Sequence, residues 1–291
     1  MRIQKILVTG ANGQLGWALS QAAKVTPNFE YIFLDRHAMD LSIPSELERI
    51  VELFAPSAII NAAAYTAVDK AETETKLAHT INAEAVAVFA SIAKNKNIPF
   101  ITYSTAYVFS GNATSPYTTD TPLAPINFYG QTKADGELMA LAVNPDAIII
   151  RTSWVFSSHG NNFVKTMIRL MKERDSLNIV GDQKGRPTYA KDLAFASIQV
   201  LNAINAGATI KGIYHYANAG ETTWFDFAQK IKELAGLDCQ LTAINSDQFP
   251  TPAKRPAYSV LDTQKIEKEL NLHIPHWELA LSDCILQLKN N

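Results

Sequence analysis

The chain is poor in cysteine, with only Cys239 and Cys284 in 291 residues. Two thiols cannot build a disulfide framework, and neither stands in a metal-type pair, so both read as small buried apolar residues. No uninterrupted apolar run is long enough to span a bilayer. No basic segment followed by an apolar one opens the chain, because Lys5 leads directly into a strand. Neither sign of charge is in excess. Lys and Arg number 26 against 28 Asp and Glu, a formal charge of −2 with a pI near 6.3. That balance offers no electrostatic reason to expect nucleic acid or a membrane surface. His79, His159 and His215 are isolated in sequence and show no metal spacing. Internal repeats and low-complexity tracts are absent as well. What remains is a cytoplasmic protein with room for one large domain or two unequal ones.

What is present begins at the first strand. Ile3, Ile6, Leu7 and Val8 form a short apolar run, followed at once by Thr9-Gly10-Ala11-Asn12-Gly13-Gln14-Leu15-Gly16. Leu15, Ala18, Leu19 and Ala22 then recur at the spacing of one buried helix face. Glycines at 10, 13 and 16 allow a tight turn, close approach of a phosphate, and close helix-on-strand packing. A pyrophosphate can sit on the free N–H groups at the helix start, where the helix dipole favours an anion. A glycine triplet alone is weak, since any strand-to-helix turn can use glycine. Its place between a first strand and an amphipathic helix makes a dinucleotide site the stronger reading.

Tyr31 to Leu34 reads as a second strand ending at Asp35-Arg36. An acid there suits a ribose 2′-hydroxyl and an arginine suits a 2′-phosphate, so both NAD and NADP stay open. Leu47, Ile50, Val51 and Phe54 predict a helix that Pro56 stops. Ala58 to Ile60 predicts a buried strand leading into Asn61-Ala62-Ala63-Ala64, small enough to lie against a flat cofactor. A helix over about 76–94 precedes a strand over 100–104, and a helix over about 128–142 precedes a strand over 147–152. This alternation predicts an α/β, Rossmann-type doubly wound parallel sheet. After Ser153 the rhythm changes. We expect a dinucleotide-binding domain over 1–155, rejoined by 186–218, and a smaller α/β substrate domain over 156–185 and 219–291.

The sharpest chemical signal is Tyr129-Gly130-Gln131-Thr132-Lys133. Tyrosine and lysine four apart share a helix face. A free phenol, with a pKa of about 10, is a poor partner for proton transfer at neutral pH. A nearby ammonium stabilises phenolate and is expected to lower that value. By itself such a pair often only dresses a helix. Its weight comes from standing downstream of the glycine turn and of Ser104-Thr105, at a strand's carboxyl end.

With these residues in view the sequence resembles the extended short-chain dehydrogenase/reductases, and more closely the dTDP-4-dehydrorhamnose reductase family. The resemblance runs nearly end to end. It includes the glycine turn, Asn61 to Glu72, Ser104 to Phe109, Tyr129 to Lys133, Arg151 to Phe156, Gly160 to Phe163 and Arg255 to Asp262. It implies that Thr105 bonds the substrate C4 carbonyl, Tyr129 protonates its oxygen, and Lys133 holds the nicotinamide ribose and tunes Tyr129. It implies a cofactor set of Gly10, Asn12, Gly13, Gln14, Leu15, Gly16, Asp35, Arg36, Asp40, Leu41, Ala62, Ala63, Ala64 and Tyr65 beside Tyr129 and Lys133. The cofactor expected is NADPH, with NADH also accepted. On the substrate side it adds Ala106, Trp154, Asn161, Asn162 and Arg255. Trp154 is a sugar platform or a core aromatic, and the asparagines bond sugar or phosphate, or cap the helix from Phe163. Arg255 pairs with a diphosphate or is solvated.

Two positions depart from the family. Ala106 stands where aspartate is usual, and Tyr65 where histidine is common. Some members dimerise around a magnesium ion held by glutamates, and the matching positions here are Ala18 and Lys191, so no bound metal and a monomer are expected. Rival readings are a sister epimerase or dehydratase and a non-catalytic NADP-binding subunit like the regulatory subunit of methionine adenosyltransferase. A dehydratase needs a carboxylate after the threonine, where Ala106-Tyr107 stand.

Overall fold

The computed structural model describes residues 3–26 and 28–290. Its centre is a six-stranded sheet of β1 (Lys5–Thr9), β2 (Glu30–Leu34), β3 (Ala58–Asn61), β4 (Phe100–Thr105), β5 (Ile148–Thr152) and a later strand, Gly212–His215. Every pairing is parallel, in the order 212–215, β5, β4, β3, β1, β2. A sheet covered on both faces needs strands apolar on both faces, and Ile6, Leu7, Val8, Ile59, Ile60, Ile149 and Ile150 are all fully buried. The chain moves outward from β1 to β2, then crosses to β3 on the other side of β1. That reversal opens a crease at the carboxyl ends of β1 and β3.

One face is covered by α1 (Gln14–Val25) and by a long helix, Ala190–Asn205. The other carries α2 (Leu47–Phe54) and α3 (Ala85–Lys96), with α4 (Phe128–Val143) packed beside α3. Ala55, not Pro56, closes α2. It takes a left-handed φ of 45° and returns its N–H to the carbonyls of Val51 and Glu52.

The helix expected over 76–94 is not continuous. A helix over Thr75–His79 passes through a π turn at Thr80–Glu84 before α3 begins. The wide turn turns Asn82 inward, where its side chain holds both the N–H and the carbonyl of Tyr65 and the hydroxyl of Thr132. Periodicity does not register one extra residue in a turn, and π turns gather at functional places.

Beyond β5 the chain builds a third core. Its helices are α5 (Phe163–Glu173), α7 (Trp224–Ala235) and α9 (Trp277–Asn290), while Ala190–Asn205, hereafter α6, and α8 (Gln264–Leu270) pack on the main core. Phe156, Met167, Phe227, Trp277 and Leu281 fill that core, together with the buried thiols Cys239 and Cys284. Two further strands, β6 (Ser176–Val180) and β8 (Gln240–Ile244), pair in parallel beside it, while Gly212–His215, hereafter β7, returns to the main sheet.

A buried ionic network fastens α4 to β5 and β7. Arg151 donates to the Glu137 carboxylate through Nε at 2.9 Å and Nη2 at 2.6 Å, and through Nη1 to His215 Nε2 at 3.3 Å. Burial, reinforced by the Arg151 guanidinium, pushes His215 down to about 3, so its ring is neutral. Between about pH 6.5 and 3 the unfolded chain therefore binds a proton that the folded chain refuses. The stability tied to His215 is complete above about pH 6.5 and is lost as the pH falls toward 3. Urea midpoints at pH 7 and pH 4.5 should accordingly differ less in His215→Gln than in the parent chain.

Candidate active site

Positioning begins with the glycines. Gly10 has a φ of +70°, and a Cβ on it would stand 2.8 Å from the Ala63 nitrogen. A Cβ on Gly16 would stand 2.1 Å from the Gly10 carbonyl oxygen. The turn is thereby pressed against Ala62-Ala63 on one side and against α1 on the other. No side chain caps the start of α1 at Gly13, and its first turn holds no acid. The N–H groups there remain directed at the crease.

The crease is a cavity of about 770 Å³. Gly10, Asn12, Gly13, Gln14, Leu15, Arg36, Asp40, Leu41, Ala62, Ala63, Ala64, Tyr65, Tyr129, Lys133 and Asn161 line it, all expected from sequence. Gly16 and Asp35 stand behind the wall. Gly16 is spent on packing. The Asp35 carboxylate accepts the N–H groups of His37 and Ala38, each at 3.0 Å, and the Asn12 amide at 3.2 Å. Chiefly the Ala38 N–H, with His37 and Asn12, holds that carboxyl below the usual range. Its first visible duty is to shape the loop. Arg36 projects to solvent, 3.7 Å from Asp40.

Sequence reasoning missed part of the wall. Ile81, Val155, Gly160 and Leu193 reach it from four separate stretches. The loop 157–162 folds over the glycine turn. His159 stacks on Trp17 at 5.1 Å and bonds the Asn12 carbonyl at 3.1 Å, while Gly160 rests on Gln14. None of these contacts has a local signal. Ser104, named beside Thr105 only as a strand end, also lines the cavity, and its buried Oγ has no partner.

Thr105 ends β4. Its Oγ1 accepts the Tyr107 N–H at 3.2 Å and shares a hydrogen bond with Tyr129. Two close contacts seat α4: a Cβ on Gly130 would stand 2.2 Å from the Tyr107 carbonyl oxygen, and one on Gly136 would stand 2.1 Å from that of Asn82. Asn127 caps the helix by accepting the Gly130 N–H at 2.7 Å. Tyr129 and Lys133 consequently face the end of β4, where Lys133 Nζ donates to the Tyr103 carbonyl at 2.6 Å. Burial pushes the Lys133 ammonium down to about 8, opposed by the Glu137 charge. The expected lowering of Tyr129 does not occur in this arrangement. Burial pushes it up to about 12, only partly opposed by the Thr105 hydrogen bond, because the lysine is directed at a carbonyl.

Thr105, Trp154, Ala106, Asn162 and Arg255 lie off the cavity wall. Trp154, at a left-handed φ of 49°, stacks on Trp224 with ring centres 3.6 Å apart. Ala106 is buried. Asn162 caps α5, accepting the Lys165 N–H at 3.2 Å and donating to the Ser157 carbonyl at 2.7 Å. Arg255 is paired with Asp69 at 2.9 Å. Tyr65 turns its hydroxyl to Glu74 at 2.8 Å, and burial together with that carboxylate pushes it up to about 12.

A long cavity at a glycine turn fits a dinucleotide. Uncapped N–H groups suit the pyrophosphate, an alanine wall suits flat rings, and the unpartnered Ser104 hydroxyl lies beside Tyr129 and Lys133 in the wall. Fold and site together define the class of the short-chain dehydrogenase/reductases. Residues 4–290 match the family model described as RmlD substrate binding domain. A dTDP-4-dehydrorhamnose reductase of Burkholderia thailandensis is 40% identical, over 98% of this chain and 99% of that one. The crystal structure of a dTDP-4-dehydrorhamnose reductase from Clostridium acetobutylicum superposes with a TM-score of 0.93 at 38% identity, covering 98% of this chain and 100% of that chain. One from Bacillus anthracis, in complex with NADP, gives 0.92 at 34% identity, covering 99% and 100%. The chain belongs to the dTDP-4-dehydrorhamnose reductase family.

An exposed arginine beside the adenosine end of such a cleft can pair with a 2′-phosphate. Arg36→Ala should raise the KM for NADPH about tenfold, the size of one charge-assisted hydrogen bond, and leave NADH almost unchanged. Steady-state kinetics with both coenzymes measures this, and equal losses would show that Arg36 does not read the phosphate.

Proposed function

We propose that the chain reduces the C4 carbonyl of dTDP-4-dehydro-L-rhamnose (dTDP-4-dehydro-6-deoxy-L-mannose) to give dTDP-L-rhamnose, with NADPH as reductant and NADH also accepted. The observation that carries the reading is the meeting of Tyr129 and Lys133, which line the inner end of the dinucleotide cleft, with Thr105 at the carboxyl end of β4. The product is a building block for cell-wall polysaccharide, and the cytoplasm is the compartment we assign. Among the described residues no helix is long and apolar enough to cross a membrane.

Nicotinamide, when bound, supplies the hydride. The chain's tasks are orientation and proton supply. The Thr105 hydroxyl donates to the substrate carbonyl. Tyr129, protonated at neutral pH, gives its proton to the oxygen as negative charge develops there. Lys133 holds the nicotinamide ribose hydroxyls and, drawn from the Tyr103 carbonyl toward the phenol, steadies the phenolate that remains. We assign 1–155 with 186–218 to cofactor binding, and 156–185 with 219–291 to the nucleotide sugar. The core around Phe227 supports a second unit built on α5, α7 and α9, while Ile266 and Ile274 of the same assigned segment pack on the main core. The Trp154–Trp224 stack is the surface we assign to the sugar, with Asn161 and Arg255 toward the diphosphate.

Tyr129→Phe keeps the ring and removes the proton, so kcat should fall at least about a hundredfold while cofactor binding persists. Near-normal turnover in this variant would remove Tyr129 from the mechanism. Substrate identity is tested by NADPH oxidation across dTDP- and UDP-4-keto-sugars. A tenfold preference for another sugar, about 1.4 kcal/mol in transition-state binding, would leave only the reaction class. No oxidation with any sugar, but tight NADPH binding, would favour the non-catalytic subunit.

We also assign a monomer. Ala18 is buried, and Lys191 is paired with Asp283 at 2.8 Å, so neither position offers a carboxylate to a shared cation. Sedimentation should give one monomer-sized species that EDTA does not change, and a dimer split by EDTA would contradict this.

A further inference from the structure

Glu137 follows Lys133 by one turn on the same face of α4, and its carboxylate is 2% exposed. Arg151 grips it from β5 with three hydrogen bonds of 2.6 to 3.1 Å. The guanidinium is fixed in turn by the Thr119 carbonyl at 3.3 Å, by neutral His215 at 3.3 Å and by the Phe109 ring 5.0 Å away. A buried ion pair of this kind is seldom worth more to stability than well-packed apolar side chains. Its location points to another duty.

We propose that Glu137, anchored by Arg151, is a positioning residue for Lys133, supplying a buried negative charge one helical turn beyond the lysine on the same face of α4. Around Lys133 stand Tyr129 and Glu137, one turn to either side on its own helix, and the Tyr103 carbonyl from β4, which accepts its hydrogen bond. The Tyr103 phenol is turned away to Ser197. Arg151 comes from β5 to hold Glu137, and His215 comes from β7 to hold Arg151. Burial drives the ammonium toward its neutral form, and the Glu137 charge is the opposing influence. His215 stays neutral through the working range, so it adds no titrating charge of its own to this network. The carboxylate touches no reacting atom. It acts through the lysine.

The inference rests on the role given to Lys133 above. Its test is Glu137→Gln, isosteric but uncharged, with the alkaline limb of kcat and the pH dependence of NADPH affinity as readouts. The limb belongs to the coupled tyrosine and lysine. It should move about one pH unit lower, and NADPH should bind about tenfold more weakly at pH 8.5 but within threefold of the parent at pH 6. Since the single change leaves Arg151 unpaired, Glu137→Gln/Arg151→Met removes both buried charges. That double variant should recover thermal stability and keep the shifted limb. A folded variant with a lowered melting temperature and unmoved pH profiles would reduce the pair to a structural brace and overturn the proposal. Cofactor affinity needs no sugar, so failure of the substrate assignment is read separately: the parent would turn over no rhamnose precursor, while the pH-dependent difference in NADPH affinity would persist.

Discussion

The cleft exists because two glycine Cα atoms lie where no side chain could. Gly10 meets the backbone of Ala62 and Ala63, and Gly16 meets the carbonyl of Gly10. These contacts draw the ends of β1 and β3 and the start of α1 into one crease. They leave the N–H groups of the helix start unclaimed by side chains. A cradle for an anion is therefore produced by packing, without a single lysine or arginine in the turn. That is consistent with a chain whose overall charge is nearly balanced.

Around this cradle the polar residues are mostly committed to one another. Asp35 shapes its loop, Asn82 holds Tyr65, Asn127 caps α4, and Asp69 holds Arg255 and the Ala253 N–H. The last pair ties the short helix Val68–Ala71 to the segment before Pro256, joining the two sides of the molecule. Charged groups left available to a ligand are few. Arg36 lies at the outer end, and Lys133 at the inner end.

Much of this was legible from sequence wherever a signal is local. The glycine turn, the strand ends, the bounds of α4 and the start of α5 follow from period and capping chemistry, which involve neighbours a few residues apart. The pairing of Tyr129 with Lys133 was legible for the same reason. Long-range partners were not. Nothing in Trp154 announces Trp224, seventy residues later, and nothing in Arg255 announces Asp69. The pKa direction of Tyr129 reversed because a helical spacing places two side chains on one face but does not say where the ammonium points. The π turn escaped because apolar periodicity averages over a single added residue.

The seat of α4 has a consequence for how such a protein can diversify. Gly130 and Gly136 bracket Lys133, and each presses on a main-chain carbonyl, of Tyr107 and Asn82. Main-chain atoms are the same whatever residue supplies them. The side chains of the surrounding pocket can be exchanged without shifting the tyrosine and lysine, since none of them forms these two contacts. Tyr65 lines that pocket and takes no part in either contact. Selection is free to retune what the pocket accepts, while the chemistry stays registered to the backbone.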